Sequence, residues 1–111
     1  MGITKTDLFT AKQNAFAQMG KIFSHPARIA ILEHLIQANA CINSDLVAEL
    51  GLAQPTISQH LKELKSIGII KGTVEGVSMS YCIDAEKWEE FKAVFSDFFG
   101  QKLPADTNQC C

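Results

Sequence analysis

The chain has 111 residues, 47% apolar and 20% charged, with a formal net charge of −2 at pH 7. That length suits one domain around a single core, and the composition excludes a disordered chain. The charge excludes a generally basic nucleic-acid binder, so any anion-binding surface has to be local. Residues 1–50 sum to zero, 51–80 to +1 and 81–111 to −3, which places such a surface in the middle. No apolar run approaches the roughly 20 residues of a membrane span. The opening Met1–Thr6 lacks a basic segment followed by an apolar block, so the expected compartment is the cytoplasm. There the four cysteines, Cys41, Cys82, Cys110 and Cys111, are expected as reduced thiols, and none forms a C-x-x-C pair.

The first element is a helix from about Thr6 to Ser24. Leu8, Ala11, Ala15, Met19 and Ile22 recur along one face, and Phe9, Phe16 and Phe23 form a second stripe. Two stripes are more apolar surface than one small core needs. They are either buried against the domain or held for a dimer partner. A second helix runs from Pro26, well placed in a first turn, to about Ala38, with Ile29, Leu32, Leu35 and Ile36 inward. A short helix from Asp45 to Leu50 follows, capped by Asn43 or Ser44 and closed by Gly51. The next helix starts at Gln54-Pro55 and is capped by Gly68, with Ile57, Leu61 and Leu64 inward. Two helices joined by a tight glycine-containing turn form a helix-turn-helix.

Beyond Gly68 the period changes to two. Ile69–Lys71 and Met79–Ile83 read as strands, with Met79, Tyr81 and Ile83 inward and residues 72–76 as the hairpin tip. A last helix runs from Ala85 to Gln101, carrying Trp88, Phe91, Phe95 and Phe98 at intervals of three and four. The predicted fold is mostly α with a small β-hairpin: a winged helix-turn-helix of about five helices. Residues 1–102 form the domain, and 103–111 form a flexible tail ending in a cysteine pair.

The stretch His25–Leu35, then Leu46–Leu50, then Gln54-Pro-Thr-Ile-Ser-Gln-His-Leu61, with Leu64, Gly68 and the strand around Tyr81, resembles the ArsR/SmtB family of bacterial metal- and metalloid-responsive repressors. The resemblance covers about residues 8–100. It implies a homodimer built from the first and last helices, which here carry Phe9, Phe16, Trp88, Phe91, Phe95 and Phe98. It also implies a repressor that leaves its DNA when an inducer binds.

With 57, 61 and 64 inward, the outward side of the 54–66 helix carries Gln54, Thr56, Ser58, Gln59, His60, Lys62, Glu63 and Lys65. Gln pairs with adenine in a bidentate manner, Ser and Thr bond bases or phosphates, and lysines meet phosphate. Lys71 and Thr73 add backbone contacts from the wing, whereas Glu75 repels phosphate. A two-fold dimer reads an inverted repeat in double-stranded DNA.

Two of the family's inducer sites are missing. The zinc site on the last helix needs a histidine, and residues 84–101 contain none. The family's Cys-x-Cys-x-x-Cys motif aligns with Ile42, Ser44 and Val47. What remains is the terminal pair Cys110-Cys111 with Cys41 as third thiolate, a set suited to As(III) or Sb(III) as inducer and to no permanent cofactor. Cys82, between Tyr81 and Ile83, is expected to face solvent, with Cys41 against Cys82 as third ligand left open. None of the three histidines has a second ligand at metal spacing. Two other readings stand beside this one: a sensor of oxidants or reactive sulfur through a cysteine bridge, and a winged-helix protein–protein module that binds no DNA. An enzyme is not expected, because no histidine serves a cysteine as base and no phosphate loop exists.

Overall fold

The computed structural model describes residues 8–38, 50–75 and 79–104. These hold four α-helices, a 3-10 turn and one two-stranded sheet: α1 (Ala11–Lys21), the 3-10 turn (Ile22–Ser24), α2 (Pro26–Ala38), α3 (Gln54–Ile67), β1 (Ile70–Thr73), β2 (Ser80–Ile83) and α4 (Ala85–Phe99). The predicted helix from Asp45 lies outside the described residues except for Leu50.

Local chemistry sets the helix boundaries. Thr10 starts α1 through a capping box: its hydroxyl accepts from the Gln13 amide at 3.0 Å, and Gln13 Oε1 accepts from the Thr10 amide at 2.9 Å. Among the described residues the predicted helix is broken at Phe9 and Thr10, and its last predicted turn narrows into the 3-10 segment. His25 opens α2, its Nδ1 accepting from the Ala27 amide at 3.0 Å. Pro55 lies in the first turn of α3, where its missing N–H costs no helical bond. Gly68 closes α3 at φ 93°, a left-handed cap that L side chains resist. Asp84 caps α4 by accepting from the Lys87 amide at 3.1 Å.

β1 and β2 are antiparallel, with Ile70 opposite Ile83, Lys71 opposite Cys82, Gly72 opposite Tyr81 and Thr73 opposite Ser80. Alternation turns Ile70 and Tyr81 into the core and Lys71 and Thr73 to solvent. One core joins Ile31, Leu32 and Leu35 of α2, Ile57, Leu61 and Leu64 of α3, and Ile69, Ile70, Tyr81 and Phe91. The inward set of α2 departs from expectation. Ile31 is buried, Ile29 is half-buried and Ile36 is exposed. The helix is apolar at 27, 29, 30, 31, 32, 35 and 36, so its periodicity leaves the inward face undetermined, and packing against α3 selects the 27/31/35 row.

Only Ile22 of the first predicted stripe is buried; Leu8, Ala11 and Ala15 are exposed and Met19 is half-buried. Phe16 packs on Phe95 and Phe98 with ring centres 4.9 and 4.6 Å away, and Phe23 packs on Phe95 at 5.5 Å. These rings tie α1 and the 3-10 turn to α4. Phe91 belongs to the core at 4% exposure. It is therefore removed from the expected dimer surface, because α4 turns it toward Ile69 and away from the free side.

Candidate nucleic-acid interface

Ile57, Leu61 and Leu64 seat α3 on the core, and this leaves Gln54, Thr56, Gln59, Lys62 and Lys65 exposed along its other side. Ser58 is half-buried and accepts from the Gln54 amide group at 3.1 Å. The N-terminal turn of α3 offers backbone N–H groups and the Thr56 hydroxyl, a combination that holds anions. From the wing, Lys71 and Thr73 are exposed on β1. Lys62 reaches Glu75 at 3.5 Å, which sets the wing beside the exposed side of α3. Apart from half-buried Ser58, these expected contact residues are thus exposed, and the Lys62–Glu75 pair links the helix to the wing.

His60 is the exception. It is buried at 7% exposure, so the expected outward position is corrected. It lies three residues after Ile57 and four before Leu64, on the inner row of the helix. Its Nδ1 accepts from Arg28 Nε at 3.1 Å, and its ring centre is 4.5 Å from that of His25. Burial, then the neighbouring His25 and Arg28, lower its pKa from the ordinary 6.5, and Glu63 partly opposes them. Glu63 is not free on the outer side either: it pairs with Arg28. Sequence reasoning missed Arg28 and His25, which lie 32 and 35 residues from His60 and share no local pattern with it.

Residues 25–71 match the model of a family of bacterial regulatory proteins, the arsR family. The chain is 35% identical over 78 residues to the HTH-type transcriptional regulator Rv0081 of Mycobacterium tuberculosis (strain ATCC 25618 / H37Rv), across 70% of this chain and 68% of that one. It is 36% identical over 84 residues to the HTH-type regulator MJ1325 of Methanocaldococcus jannaschii, across 75% and 94%. The chain belongs to the ArsR/SmtB family of transcriptional regulators. Its fold superposes on the crystal structure of Mycobacterium tuberculosis Rv0081 with a TM-score of 0.56 and 27% identity, covering 83% of this chain and 92% of that one. The NMR structure of the cadmium metal-sensor CmtR from the same organism superposes with a TM-score of 0.51 and 29% identity, covering 86% and 94%.

In this ArsR/SmtB regulator the expected inducer ligands Cys41, Cys110 and Cys111 lie outside the described residues. Among the described residues, no three His, Cys, Asp or Glu side chains gather to hold an ion. Cys82 departs from expectation: it is half-buried, stands opposite Lys71, and is disulfide-bonded rather than a free solvent-facing thiol.

Proposed function

We propose that the chain is a homodimeric repressor that binds an inverted-repeat operator through α3 and leaves it when a thiophilic ion binds cysteine thiolates. The observation that carries this reading is the exposed side of α3. Within a family of transcriptional regulators, Gln54, Thr56, Gln59, Lys62 and Lys65 line one helix side next to the wing residues Lys71 and Thr73. Gln59 supplies base-edge bonding, and Lys62, Lys65 and Lys71 supply charge to phosphates.

A second copy of the chain covers the outer side of α1 and α4. Leu8, Phe9, Phe98, Phe99 and Leu103 are exposed there by 48% to 75%. Large exposed apolar side chains mark an association surface. Phe16, Phe95 and Trp88, half-buried within one chain, support that surface from beneath.

In the reduced protein, with the Cys82 disulfide opened, the inducer ligands are Cys41, Cys110 and Cys111, and the ion is arsenite or antimonite, which take three thiolates. The relation to the cadmium sensor CmtR supports metal or metalloid input of this kind. The disulfide at Cys82 favours a second reading, in which an oxidant is the signal and bridge formation at the wing replaces ion capture. Electrophoretic mobility shift with the protein's own upstream region, together with sedimentation velocity of the free protein, tests the first part. A dimer that retards the duplex supports it, and a monomer or an unretarded duplex at low salt contradicts it.

A further inference from the structure

Arg28 leaves α2 and gives its guanidinium to three groups on two other elements. Nε donates to His60 Nδ1 on α3 at 3.1 Å, Nη2 pairs with the Glu63 carboxylate on the same helix, and Nη1 donates to the Lys21 carbonyl at the end of α1, at 2.9 Å. The side chain is 11% exposed. A planar fork with fixed donors defines geometry where a lysine does not. The His60 side of this clamp requires an unprotonated Nδ1, because only the lone pair accepts. His25 closes the other side of the His60 ring, with its own Nδ1 occupied by the Ala27 amide.

We propose that Arg28 is the positioning residue of the DNA-reading helix, and that it holds the helix in register only while His60 is unprotonated. The proposal rests on the DNA-binding role given above to α3. A proton on Nδ1 turns the acceptor into a donor facing a donor and places an imidazolium beside the guanidinium. The groups facing His60 are His25 from the loop before α2, Arg28 from α2 and Glu63 from α3. Glu63 is already engaged by Arg28. The DNA-bound helix needs the clamped geometry, so protons and DNA compete. The clamp is complete while His60 is neutral and is lost as the pH falls through the lowered pKa of the folded protein, below the ordinary 6.5. Simple attraction of an added positive charge to phosphate predicts the opposite sign.

The test is fluorescence anisotropy of a labelled duplex from the upstream region, with the full chain between pH 8 and pH 5.5. The same pH series is run by NMR on the Arg28 Nε–H resonance without DNA. Wild type is expected to bind more weakly toward the acid end of the series, by no more than about tenfold per pH unit, the slope of a single proton. His60→Asn offers an uncharged oxygen in place of Nδ1, and its affinity is expected to be flat over that range whatever its absolute value. Arg28→Lys is expected to lose affinity at pH 8. The Arg28 Nε–H resonance is expected to change with the titration of His60 in wild type and to stay constant in His60→Asn. Tighter wild-type binding at low pH overturns the proposal, as does an acid loss that survives in His60→Asn or follows His25→Asn instead. An Arg28 resonance indifferent to His60 overturns the clamp even if the duplex is bound. Absence of duplex binding at pH 8 alongside a responsive resonance overturns the DNA-reading role and leaves the clamp as a structural feature alone.

Discussion

Lys62 of α3 and Glu75 of the wing stand 3.5 Å apart, both well exposed. The carboxylate holds a lysine that, on the proposed reading, the bound protein gives to phosphate. An exposed pair of this kind contributes about 0–1 kcal/mol to stability, so its weight falls on binding. Glu75→Gln is expected to tighten operator binding by roughly two- to fivefold and to steepen the salt dependence by about one counterion, with melting unchanged. Anisotropy titrations at several salt concentrations check this, and unchanged affinity counts against a wing that approaches DNA.

Gly72 sits at φ 108° opposite Tyr81, and a Cβ there meets the Ser80 carbonyl oxygen. Gly72→Ala is expected to cost about 1–3 kcal/mol, from the strained backbone and the clash together. Thermal unfolding measures it, and a loss below about 0.5 kcal/mol contradicts the close approach of the two strands.

Two phenylalanines of α4 separate the proposed interface from the core. Phe99 is 75% exposed and Phe91 is 4% exposed. Phe99→Ser is expected to shift sedimentation toward monomer while each chain stays folded. Phe91→Ala is expected to cost about 3–5 kcal/mol of stability through the cavity it leaves. A Phe99→Ser protein that remains fully dimeric at micromolar concentration moves the interface elsewhere.

On the proposed reading, Gln59 gives specificity and Lys65 gives affinity. Gln59→Ala is expected to cost about 1–3 kcal/mol at the operator and much less on unrelated duplex, because base-edge bonds discriminate. Lys65→Ala is expected to weaken both alike and to lower the salt slope by about one. Competition titrations with specific and unrelated duplexes separate the two effects.

Punctuation made the helix-turn-helix frame legible in the sequence. Pro26 and Pro55 open helices, Gly68 caps one, and the 57/61/64 row faces the core as its spacing predicts. His60 belonged to the same row by spacing, and its polarity alone suggested the outer side. What pays for its burial is Arg28, supplied by another helix and therefore absent from any local pattern. Phe91 was misplaced for a related reason. Spacing groups it with Phe95 and Phe98 on α4, but only the packing against Ile69 shows how far around the helix the core extends. The break before α1 follows from Thr10 and Gln13, a capping pair that stood in the sequence inside a longer apolar pattern.

The most direct test of the account is release from DNA by a thiophilic ion. Reduced protein is bound to a labelled duplex from its upstream region, arsenite is titrated with zinc as the control, and anisotropy is followed for wild type and for the Cys110→Ser/Cys111→Ser double variant. The account predicts that arsenite releases wild type, that zinc does not, and that the double variant binds the duplex and stays bound. A double variant that arsenite still releases fully, or a wild-type complex indifferent to arsenite, contradicts the thiolate site.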